Sequence, residues 1–382
     1  DSDGDAMSGG RTADHDAVGH VILTVDYEVF GNGTGSVRSC VTEPTDRLLN
    51  LARRHSAPVT LFVEALEFAA MREQDAAGGA RRTGGRIVEE VEEQLRRAAG
   101  SGHDVQLHLH PQWLDARRAS DGRWSLASDG WRLGDRTREE VARMVRRGRR
   151  YLATTLSNVR SDEGLRVFRA GGWSVQPSAH VVDVLLEEGI DVDSTVAPGL
   201  ELGDPRRWYD FTGAPRRRPF WRVDREVCSP AEDGALLEVP IAVGRSGLLE
   251  SAGHLVGALS GSGSKFPEGC KGSFGGEADF WARAATAISK LRGLGMEMLD
   301  FCKLSESGLM AVTDAWLATR GAGDGAVPVV AIGHAKTFTR DAERTLDGYL
   351  STMSRRDDVT FSTFGQWIES RGDLLAPARG DG

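Results

Sequence analysis

Short apolar runs alternate with amphipathic stretches along most of this 382-residue chain. Uninterrupted apolar runs are typical of buried strands, and apolar positions recurring every three or four residues among charged ones are typical of surface helices. The predicted strands are 21–25, 58–63, 105–109, 167–170, a short run near Val192, 236–240, 296–301, 327–332 and 359–362. The predicted helices are 45–55, 86–99, 138–155, 179–188, 279–292, 305–319 and 341–353.

This strand-then-helix order predicts an α/β fold with a parallel sheet. Roughly seven or eight of these strands would form one distorted (β/α) barrel over residues 20–370, which suits the pattern better than two domains. Between residues 200 and 276 the alternation gives way to Pro, Gly, Arg and Ser, which predicts an elaborated insertion with a mobile stretch at 257–264. Segments 1–19 and 371–382 are predicted to be flexible tails.

Composition excludes several classes of function. A net charge of −9 makes nucleic acid an unexpected partner. No apolar run approaches the ~20 residues that span a bilayer, and the first 19 residues are polar, so a cytoplasmic location without membrane contact is expected. The four cysteines, without a Cys-x-x-Cys spacing, are expected to be free, buried thiols: Cys40, Cys228, Cys270 and Cys302. No heptad run indicates an oligomeric state, which stays open.

Two clusters at predicted strand ends indicate metal chemistry. Asp26 and Glu28 are two residues apart and share a face if the strand persists, so one could bind a cation while the other acts as a base. The alternative is a pair of surface acids. His108 and His110 share a face in the same way, and paired imidazoles suit zinc or a similar ion. An accidental histidine pair is the alternative.

Three further strand ends carry polar residues. Arg169 precedes two glycines and could hold a carboxylate, or form a structural ion pair. Asp193 ends a short strand and could equally cap a helix. His334 follows a very apolar strand, where a histidine is well placed as a general acid, although a lone histidine is usually structural. In a parallel barrel all these strand ends meet at one rim.

Taken in order, these motifs resemble the NodB-homology polysaccharide deacetylases of the carbohydrate esterase family 4 type. The motifs are the acidic strand end, Gly-His-Asp-Val-Gln-Leu-His, an Arg after a strand, Asp-Ser and a late Gly-His, and they span residues 21 to about 339. The resemblance implies a distorted barrel with a divalent metal: zinc first, with cobalt, nickel and manganese as alternatives.

The resemblance also implies roles for single residues. Asp26 becomes the base, Arg169 orients it, and His334 becomes the proton donor, while Asp193 of the Asp-Ser motif joins this catalytic group. The implied metal ligands are Glu28, His108 and His110. Two positions depart from the family pattern: the usual Asp-Asp pair is Asp26-Tyr27-Glu28, and Gln112 stands where a second histidine is usual. Predicted substrate contacts are Tyr27, Trp113 and Trp173, with core burial as the alternative for the tryptophans.

The expected function is metal-dependent hydrolysis, with water attacking the acyl group of an amino-sugar-containing small molecule or glycoside. Two alternatives stay open. An allantoinase-like amidohydrolase acting on a non-sugar amide is one, because His-x-His is also found in amidohydrolases. A carbohydrate-binding protein without metal is the other, motivated by Gln112. The acyl group and the sugar are not specified by the sequence.

Overall fold

The structure is a computed structural model that describes residues 19–77, 85–120, 122–127, 131–203, 208–245, 266–272, 296–320 and 327–374. The predicted helix 279–292 and the predicted mobile stretch 257–264 lie outside the described residues, as do 1–18 and 375–382 of the two predicted tails. The tails and the domain limits therefore stay predictions.

Strands and helices alternate along the described chain. The strands are β1 (Gly19–Tyr27), β2 (Val59–Glu64), β3 (Asp104–Leu109), β4 (Arg117–Arg118), β5 (Trp124–Ser125), β6 (Val167–Ala170), β7 (Val192–Asp193), β8 (Glu201–Gly203), β9 (Trp208–Asp210), β10 (Trp221–Val223), β11 (Leu236–Glu238), β12 (Val243–Arg245), β13 (Met296–Met298), β14 (Val327–His334) and β15 (Val359–Phe361). The helices are α1 (Glu43–Arg54), α2 (Ala65–Ala77), α3 (Gly85–Gly100), α4 (Arg138–Leu156), α5 (Ala179–Glu187), α6 (Glu306–Arg320), α7 (Arg340–Met353) and α8 (Phe364–Ser370). A five-residue π-helix, Arg38–Thr42, precedes α1.

The main sheet has the order β10-β11-β7-β6-β3-β2-β1-β14, parallel from β11 to β14, and β15 also pairs with β1. It curls back on itself beyond β11. The amide of Ala242 donates to the carbonyl of Val330 at 3.0 Å, and the amide of Phe301 donates to that of Ile332 at 3.0 Å. The predicted α/β class and distorted barrel are confirmed.

The strands are buried because both of their faces are covered. All nine residues of β1 are buried, as expected for a strand with helices outside and barrel interior inside. The helices present apolar stripes to the sheet, and α4 begins with a capping box in which Thr137 and Glu140 satisfy free backbone amides. None of the helices in the described residues combines the length and apolarity needed to cross a bilayer.

The expectation of four free thiols is wrong for two of them. Cys40 in the π-helix and Cys270 form a disulfide, with Cα atoms 4.9 Å apart and a sequence separation of 230. The pairing occurs because the segment around Cys270 folds back against the start of the chain, where Phe266 packs edge-on against Phe30 at 5.0 Å. Cys228 and Cys302 are free and partly buried.

Candidate functional site

Strand register brings the predicted polar residues to one end of the barrel. Asp26 pairs with His334 across β1 and β14, and His108 pairs with Arg169 across β3 and β6. Because the strands are parallel, their carboxyl ends gather at the same rim, which is where barrel enzymes carry their active sites. The rim also includes Glu64, the last residue of β2, which pairs with His108 of β3.

Two imidazoles and two carboxylates form a buried cluster. Nδ1 of His110 lies 2.8 Å from Oε2 of Glu64 and 3.1 Å from Oε2 of Glu28. Nε2 of His108 lies 3.8 Å from the same Glu28 oxygen. One ligand atom from each of the four residues lies within 4.8 Å of the others, and none of the four side chains is appreciably exposed.

His108 presents a nitrogen that the described protein leaves without a partner. Its Nδ1 is 2.9 Å from the carbonyl oxygen of Arg169, which can only accept, so Nδ1 carries the hydrogen. In the neutral imidazole Nε2 therefore carries the lone pair; this atom is buried, and no described group hydrogen-bonds to it. A buried imidazole oriented by a backbone carbonyl is the usual state of a metal-binding histidine. Hence the donor set fits a divalent metal.

Electrostatics at the cluster favour positive charge. Burial by itself would lower the pKa of His108, yet the carboxylates of Asp26 and Glu28 raise it to about 9. The negative potential that favours a proton on this imidazole equally favours a metal cation, since proton and metal compete for the same lone pair.

Lys336 is part of the same cluster and was not predicted. Its Nζ lies 2.5 Å from Oε1 of Glu28 and 3.0 Å from the carbonyl of Val29, and the side chain is buried. Burial would raise the pKa of Glu28, but Lys336 and then the neighbouring imidazoles outweigh it and hold that pKa well below the usual range. Glu28 is thus an anion with one oxygen on an ammonium and the other facing the histidines.

Asp26 lies beside the cluster between a cation and a histidine. Nη1 of Arg169 lies 2.9 Å from Oδ1 of Asp26, and Nε2 of His334 lies 3.3 Å from Oδ2. Burial raises the pKa of Asp26, but Arg169 outweighs it and the pKa is lowered. Burial lowers the pKa of His334 to about 4. Asp26 is therefore ionised and His334 neutral at physiological pH.

Asp193 does not join the predicted catalytic group. It is fully buried, accepts a hydrogen bond from Thr195 at 2.6 Å, and makes no hydrogen bond to Asp26 or His334 in the described structure. Burial raises its pKa to about 6, and Glu238 beside it has a pKa raised well above its usual value by burial and by Asp193. Asp193 and Glu238 end β7 and β11, and the charge that they contribute acts on Arg169, where it raises the pKa of the guanidinium against the effect of burial.

Two of the three predicted substrate contacts are corrected. Tyr27 has no exposed surface and donates its hydroxyl to Gln94 at 2.7 Å, because the strand that points residues 26 and 28 inward points residue 27 outward. Trp113 is 1% exposed and packs edge-on against Trp124, so it is a core residue. Trp173 is half-buried, with its ring centroid 6.1 Å from that of His334.

Comparisons with known proteins were made by sequence and by structure. No family model and no curated protein matches the sequence. Among solved structures, the chain is similar to a protein of Mycobacterium smegmatis provisionally named a polysaccharide deacetylase, at 17% identity, 96% of this chain, 94% of that chain and a TM-score of 0.49. It is also similar to the PuuE allantoinase, at 11% identity, 93% and 91% of the two chains and a TM-score of 0.45.

A further similar structure is a carbohydrate esterase family 4 pseudoenzyme of Bacillus anthracis, at 15% identity, 46% and 42% of the two chains and a TM-score of 0.28. The Mycobacterium smegmatis and Bacillus anthracis proteins bear names of the family that the sequence motifs resemble. Likeness at this level says nothing of activity, so the function has to be argued from this chain's own residues.

Proposed function

We propose that the protein is a metal-dependent hydrolase that removes an acyl group, with acetyl as the first expectation, from an amine of an amino-sugar-containing small molecule or glycoside. The observation that supports it most is the buried, unpartnered Nε2 of His108, which faces the carboxylate of Glu28. Glu28, His108 and His110 would hold the ion, with zinc as the first expectation. A divalent ion there supplies Lewis-acid polarisation of the acyl oxygen and lowers the pKa of water.

Asp26 is the proton acceptor in this proposal. It is buried, ionised and fixed by Arg169, so it can take a proton from the attacking water without reorienting. His334 is neutral, and its Nε2 lies 3.3 Å from Oδ2 of Asp26. It therefore receives the proton from Asp26 and passes it to the leaving nitrogen, rather than supplying one that it already holds.

Trp173 is the proposed substrate contact. The ring lies edge-on to His334 and is half-buried, although its Nε1 atom is itself buried. A half-buried aromatic ring suits a sugar ring, which offers an apolar face. Replacing Trp173 should therefore act on substrate affinity.

A metal-free carbohydrate-binding protein is the second candidate, and Lys336 is the observation that favours it. Its ammonium already neutralises one oxygen of Glu28, a predicted ligand, so the protein holds part of the positive charge that a metal would bring. The two functions differ in whether the purified protein binds a divalent ion.

Metal analysis of the wild type beside His108→Ala and His110→Ala tests the proposal. His180→Ala is the matched control, because His180 is half-buried outside the cluster and contacts the carbonyl of Arg136. One ion per chain, retained only in wild type and the control, supports the ligand set. Acetate release with added Zn²⁺ or Co²⁺ would then be measured over N-acetylated sugars and small non-sugar amides. No ion bound even after addition, together with sugar binding, would replace the hydrolase by the binding protein.

A further inference from the structure

We propose that Glu64 is a fourth protein ligand of the ion, so that two carboxylates and two imidazoles hold it. Neither the sequence motifs nor the resemblance assigns a role to this residue. The inference rests on the proposed function, because it presupposes a metal, and it adds a second carboxylate to the three ligands of that proposal.

The position of Glu64 is that of a ligand. Its Oε2 lies 2.8 Å from Nδ1 of His110, which also lies 3.1 Å from Oε2 of Glu28. Ligand atoms bonded at ~2.1 Å to one ion lie about 3.0 to 3.5 Å apart in octahedral or tetrahedral geometry. The two distances above and the 3.8 Å between Oε2 of Glu28 and Nε2 of His108 bracket that range.

Lys336 limits the number of donor atoms that the three predicted ligands supply. It binds Oε1 of Glu28 at 2.5 Å, so Glu28 offers a single oxygen to the ion. The three predicted ligands then supply three donor atoms. Glu64 is the one further acidic residue grouped with all three of them in the described structure.

Charge supports the same conclusion. Glu64 is wholly buried, and its described partners are the amide of Leu66, at 3.2 Å from Oε1, and His110. The buried side chains of Lys336 and Arg169 are committed elsewhere, Lys336 to Glu28 and Arg169 to Asp26. A buried carboxylate is stabilised by a cation or a metal, and a metal is the cation that this cluster fits.

The competing role for Glu64 is to orient His110 by accepting a hydrogen bond from Nδ1. Loss of such a supporting contact typically weakens metal binding about 10- to 100-fold and leaves the coordination unchanged. Loss of a ligand should exceed that range and change the ligand field. It should also weaken Mn²⁺ more than Zn²⁺, because carboxylate ligands matter more to the harder ion.

The test is a titration of the metal-free full-length protein with Zn²⁺, Mn²⁺ and Co²⁺ against a chromophoric chelator, together with the visible spectrum of the Co²⁺ form. The variants are Glu64→Gln and the matched control Glu67→Gln. Glu67 is equally buried and only three residues away, but its oxygens accept from the amide of Val29 and not from the imidazoles.

We expect Glu64→Gln to weaken Co²⁺ binding more than 100-fold and to alter the Co²⁺ spectrum, with Glu67→Gln within about threefold of wild type. Weakening of 100-fold or less with an unchanged spectrum would overturn the role of Glu64 as a ligand and leave the proposed function standing. A wild type that binds none of the three ions would overturn both. If Glu64→Gln does not fold, anomalous diffraction from Co²⁺-loaded wild-type crystals decides, with Oε2 of Glu64 within ~2.2 Å of the ion expected.

Discussion

Gly171 is packed so closely against His110 that it has no room for a side chain. A Cβ built on Gly171 would lie 2.4 Å from both Cγ and Cδ2 of the His110 ring and 2.8 Å from Nδ1. Gly171 does not have the positive φ of its neighbour Gly172. The substitution Gly171→Ala therefore tests the close approach to His110 without adding backbone strain.

The expected magnitude follows from these distances. Ordinary carbon contacts begin near 3.4 Å, so the ring must recede by about 1 Å. A retreat of that size takes Nδ1 from 2.8 Å to beyond hydrogen-bond distance of Glu64. Metal binding tolerates deviations of only about 0.2 Å from the standard metal–ligand distances. We therefore expect Gly171→Ala to weaken metal binding by about 10- to 100-fold, or about 1.4 to 2.8 kcal/mol.

The assay is competition for Co²⁺ against a chromophoric chelator, with Gly213→Ala as the control, because a Cβ at Gly213 meets nothing within 4 Å. Urea unfolding of the metal-free proteins adds a double-mutant cycle with His110→Ala. Overpacking should cost about 1 to 3 kcal/mol in the wild-type background and nothing once the imidazole is removed. Wild-type metal affinity in Gly171→Ala, or an equal stability cost in both backgrounds, would refute the reasoning.

Three further predictions concern the surroundings of the site. Cys40→Ser should lower the free energy of unfolding by about 2 to 5 kcal/mol, and reductant should lower that of the wild type alone, as measured by urea unfolding. Trp113→Ala should cost about 3 to 5 kcal/mol of stability with KM unchanged, whereas Trp173→Ala should raise KM at little cost in stability; the reverse pattern would contradict their placement. Burial raises the pKa of Asp193 to about 6 and raises the pKa of Glu238 well above its usual value. The folded state therefore binds more protons than the unfolded state between about pH 4 and 6, so the free energy of unfolding falls as pH rises through that window. Glu238→Gln should flatten this slope in urea unfolding curves, and an unchanged slope would place the protons elsewhere.

The alternation of strands and helices could be predicted because each barrel strand is buried on both faces and stands out as an apolar run. Helix α2, Ala65–Ala77, was missed because it follows β2 directly, with no turn residue between them. The hairpin of β8 and β9 was missed because its strands are three residues long. The disulfide could not be predicted, since spacing does not determine pairing across 230 residues. A disulfide is unusual in a reducing compartment, so it weighs against the cytoplasmic location, which stays a prediction.

The site was predictable where strand geometry alone determines it. The ends of parallel strands meet, so Asp26, His108 and His334 were expected together and lie together. Tyr27 was wrongly predicted as a substrate contact. Side chains alternate along a strand, so a strand that points Asp26 and Glu28 into the barrel points Tyr27 outward. Glu64 lies one residue past the end of the predicted strand, in a position where a single acid gives no clear signal. Burial of Lys336 depends on tertiary packing, because a lysine after a strand is normally solvated.

Arg169 contacts both parts of the site, the cluster that would hold the ion and the proposed base Asp26. Its backbone carbonyl accepts from Nδ1 of His108 and so leaves Nε2 free for an ion, while its guanidinium holds Asp26 at 2.9 Å. The guanidinium is itself fixed, because Nε donates to the carbonyl of Ser194 at 2.9 Å and the group lies over the ring of Phe62 at 4.1 Å. A substitution such as Arg169→Met would keep the carbonyl and lose the guanidinium. Metal binding should then persist while Asp26 loses its cation and its orientation, so the two halves of the site can be separated by measuring metal affinity and turnover in one variant.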